Sequence, residues 1–283
     1  MRSLLFVPGD SERKLAKAFD SGADVVILDL EDAVDISRKA VARAMVRDVL
    51  PDAPATIAVR VNSFASGLLE DDLSAVMPGR PAYIMLPKSE SGADVTHLSQ
   101  LLSVEEAHAD TIEGSTKIIA IATETASALF GLGTYRGASS RLAAMTWGSE
   151  DLSTSLGAAR SRDADGVLTG PFQTARTLCL AGAVSAGVTP IDSVWVDFRD
   201  DAGLKAEADA AALDGFLGKL AIHPAQVPVI NEAFTPTAEA LAHARRIVDA
   251  FASNPGAGVV SIDGKMVDKP HLTLAERLLA RAG

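Results

Sequence analysis

Acidic side chains close three separate apolar runs of this chain: Asp29, Glu31 and Asp32 end VVILDLED, Glu124 ends KIIAIATET, and Glu150 and Asp151 end RLAAMTWGSED. Carboxylates gathered from separate strands repel one another unless a cation sits between them. A hard divalent ion with oxygen ligands is the common solution, which points to magnesium. Taken singly, each acid is better read as an ordinary strand end meeting solvent; several on one rim shift the balance towards a metal site, though spacing alone does not pick the ligands. Basic groups share these run ends: Arg60 in VRVN, Lys88 in LPK, and Arg13 just after the first run. Carboxylates beside guanidinium groups suit an anionic, oxygen-rich substrate that bridges metal and arginine, with internal ion pairing as the competing use, for Lys88 above all. His223 in AIHP ends the last run and is expected to shape its loop rather than act as a base. Gly148, ahead of Ser149 and Glu150, and Gly9, after Pro8, allow close approach of backbone to a ligand, or serve turns alone. The chain has no Walker A or GxGxxG motif, which weighs against nucleotide hydrolysis and Rossmann-type hydride transfer.

These side chains need a frame that delivers them to one place. Eight short apolar runs do so: SLLFVPGD, VVILDLED, ATIAVRVN, AYIMLPK, KIIAIATET, RLAAMTWGSED, DSVWVDFRD and GKLAIHP. Near-continuous Val/Ile/Leu runs are strands buried on both faces, and a closed parallel barrel places its chemistry where such strands stop. Between them, SERKLAKAFDSGA and ISRKAVARAMVRDVL space apolar residues three or four apart, the mark of a helix with one buried stripe. The alternation predicts an α/β fold, a (β/α)8 TIM barrel, with a doubly wound open sheet as its structural competitor.

With 283 residues, 48% of them hydrophobic, the chain can bury one substantial core. Its formal charge is −11, from 26 basic and 37 acidic residues, and no Lys/Arg stripe tracks a phosphate backbone, so nucleic acid is not expected as a partner. The apolar runs fall far short of a membrane span and the N-terminus lacks a signal peptide's long apolar region, so the expected location is the cytoplasm and no membrane contact is expected. The single cysteine, Cys179, lies on the apolar face of TARTLCLAGAVSAG and is read as packing rather than as a nucleophile. The predicted barrel domain covers 1–234. A C-terminal helix–hairpin–helix extension covers 235–283, with a helix entered through Thr235-Pro236-Thr237, a two-residue turn at Asp263-Gly264 between VVSI and KMV, and a final amphipathic stretch LTLAERLLARA. A hairpin of this size cannot bury itself, so packing on the barrel or on a neighbouring copy is expected.

The segments RSLLFVPGDSERKLAKA, GADVVILDLEDAV, VRVN, MLPK, the glutamate of IATETA, WGSEDL, AIHPAQV and GVVSIDGKMVDKP occur in order over nearly the whole chain. This ordered set resembles the citrate lyase β-subunit and malyl-CoA lyase family, within the HpcH/HpaI aldolase superfamily. The resemblance implies a (β/α)8 barrel, a magnesium site, acyl-CoA thioester and keto-acid substrates, and a homotrimer or larger assembly. It implies Glu124 and Asp151 as metal ligands, and Arg60 as the group facing the thioester and its developing enolate. Gly148, Ser149 and Glu150 join Arg60 in binding substrate. Asp268, in KMVDKP, is similar to the catalytic aspartate carried on a C-terminal lid, often from an adjacent subunit. Asp29, Glu31 and Asp32 resemble the acidic cluster flanking the metal, and coenzyme A contacts are expected at Pro8, Arg13, Lys88, His223 and Pro224. Two departures, ATETA in place of IESA and IHP in place of INP, weaken the assignment to a dedicated citrate lyase complex. The implied reaction is retro-Claisen cleavage of a 3-hydroxyacyl-CoA, citryl-CoA giving acetyl-CoA and oxaloacetate. The alternatives are a malyl-CoA or related lyase, a metal-dependent aldolase acting on pyruvate enolates, and a non-catalytic subunit that binds coenzyme A or an acyl carrier.

Overall fold

The structure, a computed structural model, describes residues 1–281. Among them, eight parallel strands close into a barrel: β1 (Ser3–Pro8), β2 (Val25–Asp29), β3 (Ile57–Arg60), β4 (Tyr83–Leu86), β5 (Lys117–Ile121), β6 (Leu142–Thr146), β7 (Thr189–Asp192) and β8 (Gly218–Ala221). β8 pairs with β1 through Ser3 and Lys219, Leu4 and Leu220, and Leu5 and Ala221. Each strand gives at least one residue to a single buried cluster that includes Leu4, Ile27, Ala58, Met85, Ile119, Ala144, Ile191 and Leu220. Because side chains alternate along a strand, the intervening residues (Leu5, Val26, Leu28, Val59) face the surrounding helices and are buried as well. The near-continuous apolar character of the runs, broken in β8 by the buried Lys219, follows from this double burial. The fold expected from the runs is therefore the fold observed.

One strand lies elsewhere than the pattern predicts. The seventh expected run, Asp192–Asp200, contributes only its first residue: β7 is Thr189–Asp192, and Val196, Phe198 and Arg199 are in an exposed loop. The alternating Val194-Trp195-Val196 looks like a strand. The backbone instead bends, with Phe198 N–H donating to Val196 O and Asp200 N–H to Asp197 O. The true strand was hidden by Pro190, which lacks a donor, yet its carbonyl still accepts from Leu217 N–H at 2.9 Å.

At the opposite end of the barrel from the strand C-termini, Glu106 and Arg141 form a buried pair. Both carboxylate oxygens accept from the guanidinium, at 2.8 and 2.7 Å, and also from the N–H groups of Thr116 and Gly114. Burial opposes the charge, but the bond to Arg141 and the two backbone donors outweigh it and hold Glu106 at about 2, below its ordinary 4.5. A carboxyl lowered by folding adds stability that is complete above the unfolded value and lost as pH falls through the folded one. Glu106→Gln is therefore expected to flatten the fall in stability between about pH 4.5 and 2. It should also lower stability at neutral pH by about 3–5 kcal/mol, because Arg141 is left buried without a counter-charge. Urea unfolding followed across that range checks both, and an unchanged acid limb would show that the pair does not drive acid unfolding.

The chain divides into two compact units, the second starting at Glu232. Within it, helix Ala238–Ala252 is capped by the Thr237 hydroxyl, which accepts from Ala240 N–H. A hairpin of β9 (Val259–Ile262) and β10 (Lys265–Asp268) turns on Asp263 (φ 53°) and Gly264 (φ 75°), the positive-φ pair the sequence predicts. The sequence suggests packing on the barrel or on a neighbouring copy; within its own unit the hairpin already has partners. Ile262 and Val267 pack with Ala244, Ile247 and Phe251 of the first helix and Ala275 of helix Lys269–Ala280, which gives the unit its own small core. Among the described residues no helix is long and apolar enough to cross a membrane. Cys179 is fully buried on helix Gly170–Ala186, and burial pushes its thiol up, away from reactivity.

Candidate active site

The C-terminal ends of the barrel strands surround a cavity of about 970 Å³. Asp29, Asp32, Arg60, Glu124, Gly148, Ser149, Glu150 and Asp151 line it, as do Pro8, Arg13, His223 and Pro224. Each stands at or just beyond the end of its strand, or in the first helical turn that follows, as barrel geometry requires.

Arg60, last residue of β3, reaches across to β2. Its Nε and Nη2 donate to the two oxygens of Asp29 at 2.8 and 2.6 Å, its Nη1 is 3.1 Å from Glu31 Oε2, and its guanidinium lies 4.7 Å over the ring of Phe6. Burial disfavours its charge, but Asp29 first, with Glu31 and Glu124 beyond, raises the pKa further above its ordinary value. Asp29 is consumed by these bonds and by the N–H groups of Glu31 and Ala33. It is thus the anchor of Arg60 rather than a free ligand.

Lys88 gathers the remaining acids. It sits at φ 52°, a conformation that costs an ordinary residue about 1–2 kcal/mol, and its backbone N–H donates to Glu124 Oε2 at 2.5 Å. Its ammonium ion pairs with Glu31 and lies 3.3 Å from Asp32 Oδ2 and 3.5 Å from Asp151 Oδ1. Lys88, expected at the coenzyme A surface, has its ammonium engaged instead by this acidic cluster and does not line the cavity. The competing use considered for it, internal ion pairing, is what its contacts display.

Glu124 is buried at the cavity floor. Desolvation, with Glu31 and Asp151 nearby, pushes it up to about 8 despite the N–H of Lys88. Glu31 is raised in the same direction by burial, against the pull of Arg60 at its Oε2 and Lys88 at its Oε1. A Cβ at position 148 would come within 3.1 Å of Glu124 Cγ and 3.3 Å of Oε1, so glycine there makes room for the glutamate. Gly9 has a structural explanation instead: a Cβ would meet Asp29 O at 2.8 Å. This is a set of hard oxygen donors with more negative charge than its resident cations neutralise. A divalent ion entering it would release the Glu124 proton, as metal binding to protonated ligands does. Among the described residues no three His, Cys, Asp or Glu side chains converge to hold an ion by themselves.

His223 stacks on Phe198 with ring centroids 4.8 Å apart, and its Nδ1 accepts from Ala225 N–H, the loop-shaping part expected of it. Asp268 belongs to the second unit. It precedes helix Lys269–Ala280 and lies 2.5 Å from His271 Nδ1, a bond that holds its carboxyl below the ordinary range. Sequence reading missed Phe6, Lys14, Lys17 and Ser193, which also line the cavity. The lysines were findable, since Arg13 and Lys17 stand four apart on the helix that follows β1.

The family model described as HpcH/HpaI aldolase/citrate lyase matches residues 2–224. A citrate lyase subunit beta-like protein of Mycobacterium tuberculosis is 39% identical over 279 residues, covering 99% of this chain and 94% of that protein. The mitochondrial citramalyl-CoA lyase of Rattus norvegicus is 32% identical over 300 residues, covering 99% and 86%. The crystal structure of M. tuberculosis CitE in complex with magnesium, acetoacetate and coenzyme A superposes with a TM-score of 0.80 at 36% identity, covering 100% of this chain and 98% of that one.

Proposed function

The chain belongs to the HpcH/HpaI aldolase/citrate lyase family, and we propose that it is a magnesium-dependent carbon–carbon lyase that cleaves a 3-hydroxyacyl-CoA thioester, citryl-CoA to acetyl-CoA and oxaloacetate. The observation that carries this reading is the meeting, at one strand-end rim, of surplus carboxylates around Glu124 with a permanently charged, rigidly held Arg60. Glu124 and Asp151 would hold the magnesium ion, with Glu31 and Asp32 beside its waters. Bound there, magnesium supplies Lewis acidity toward the hydroxyl and carboxylate oxygens of the substrate. Gly148, Ser149 and Glu150 form the wall for the keto-acid half. Pro8, Arg13, His223 and Pro224 form the wall for coenzyme A, with Lys14 and Lys17 adding positive charge for its phosphates.

As the carbon–carbon bond breaks, the substrate hydroxyl releases its proton to water and its oxygen becomes the carbonyl of the keto acid, while the electron pair of the broken bond passes to the thioester as an enolate. Arg60 stabilises the enolate oxygen electrostatically. Because Asp29 holds its fork in place, little reorganisation is needed as the charge develops. Asp268, on the C-terminal lid, then exchanges a proton with the enolate carbon. His271 keeps it ionised, the form that removes a methyl proton in the condensing direction, and its conjugate acid returns that proton in cleavage. The enzyme is assigned to the cytoplasm as a homotrimer or larger homo-oligomer, for which light scattering on the purified protein is the check.

Incubation of the purified chain with magnesium and a panel of hydroxyacyl-CoA thioesters tests the reading. Oxaloacetate from citryl-CoA is the expected product. Pyruvate from citramalyl-CoA or glyoxylate from malyl-CoA alone would move the assignment to those lyases, and free coenzyme A without keto acid would replace cleavage by hydrolysis. Coenzyme A binding with no turnover of any thioester would favour a non-catalytic subunit. In the same assay Asp268→Asn should bind magnesium and keto acid normally yet lose turnover. Exchange of acetyl-CoA methyl protons at the wild-type rate would remove Asp268 from the proton step.

A further inference from the structure

Behind the cavity wall lies a second cluster of charges that the chemistry above does not use. Asp192, at the end of β7, is fully buried and points between the sheet and its helices, since its neighbour Ile191 fills the barrel. Its Oδ1 accepts from the indole Nε1 of Trp147 at 2.7 Å and from Arg176 Nε at 3.1 Å, and its Oδ2 accepts from Lys219 Nζ at 3.1 Å. Lys219, also without solvent exposure, donates to Glu207 Oε1 at 2.8 Å, and the other oxygen of Glu207 meets Arg162 at 2.6 Å. The guanidinium of Arg162 lies 4.7 Å over the ring of Trp195.

The two outer members of this chain of bonds bracket one segment. Trp147 immediately precedes Gly148, and Arg162 follows helix Glu150–Leu156, so the stretch that carries Ser149, Glu150 and Asp151 is fastened at both ends to Asp192, Lys219 and Glu207. A buried ion network is weak evidence for added stability, because desolvation offsets the attraction, whereas its directional bonds can hold one arrangement against its alternatives. Apolar side chains of similar volume would fill the space but would not fix the height of Trp147 or the reach of Arg162. We propose that the Trp147–Asp192–Lys219–Glu207–Arg162 chain is a positioning device that sets the placement of Asp151 and thereby the affinity of the cavity for its divalent cation. The inference rests on the assignment of Asp151 as a metal ligand. None of these five groups is a catalytic residue; Trp147 also lines the cavity, and the other four act through the segment they hold.

Trp147→Phe and Arg162→Met each release one end while leaving Asp192 paired with Lys219 and Arg176. Mn²⁺ binding to the purified chain without substrate, read from the loss of the free-ion EPR signal, is the measurement, with Mg²⁺ as competitor. Each variant is expected to bind Mn²⁺ about tenfold more weakly, a difference of about 1.4 kcal/mol, while still unfolding in one cooperative transition in chelator. Arg141→Met breaks a buried ion pair at the far end of the barrel and serves as the control for lost stability. It should bind Mn²⁺ as the wild type does. Wild-type affinity in both segment variants would overturn the proposal, as would an equal loss in Arg141→Met. Absence of Mn²⁺ binding by the wild-type chain would instead overturn the metal site itself, and this inference with it.

Discussion

Asp151→Ala is expected to abolish magnesium-dependent turnover and, with it, the binding of oxaloacetate. The substitution removes one of the two carboxylates assigned to the ion. The keto acid is expected to bind through that ion, so its affinity should fall along with the metal's. The fold should be untouched. Asp151 stands in the first turn of a short helix, its side chain about a third exposed, and its charge is one of those that raise Glu124. Removing it relieves repulsion at the cavity floor and leaves Lys88 with Glu31 and Asp32 as partners. The expected pattern is therefore an unfolding midpoint in chelator at or above that of the wild type, beside a calorimetric titration that detects neither Mg²⁺ nor oxaloacetate. Full activity in the variant would take Asp151 out of the metal site and leave the proposed chemistry without its second ligand.

Arg60→Met should damage both rate and stability, and the two losses have different causes. Loss of a fixed cation beside a developing oxyanion is worth about 10²–10³-fold in turnover. Separately, Asp29 and Glu31 would stay buried without their guanidinium, a situation that costs about 3–5 kcal/mol. Arg60→Lys separates the effects. It restores a positive charge near the acids but cannot offer two parallel donors to Asp29. We expect it to recover much of the stability and little of the rate, as measured by urea unfolding and by turnover under saturating thioester. A lysine variant with wild-type turnover would show that charge alone suffices and that the rigid fork is not part of the catalysis.

The barrel was readable because double burial leaves a one-dimensional trace: a strand covered on both faces is apolar at nearly every position, and a series of such runs separated by helical spacing permits few architectures. The ends of the runs were readable for the same reason, since a polar residue closing an apolar run marks where the strand leaves the core. Arg60, Glu124 and Asp29 were found in this way. The seventh strand was misplaced because Thr189-Pro190-Ile191-Asp192 carries little of that trace, while the exposed loop after it mimics a strand's alternation.

What these residues do to one another was not readable. That Lys88 binds Glu124 through its backbone and three other acids through its side chain depends on a left-handed turn and on the spacing of β2, β4, β5 and β6 around a closed cylinder. Lys219, in the middle of an apolar strand, looks like an error of pattern until Asp192 and Glu207 are seen to meet it. The sequence by itself determined the fold class, the strand ends apart from that of β7, and the chemical types of the groups delivered there, because burial and periodicity are local properties of the chain. Only the tertiary structure decided which carboxylate anchors Arg60, which are left in surplus, and which charges lie behind the wall. Ion pairs join residues tens of positions apart, and their strengths depend on distances and burial that exist only once the barrel has closed.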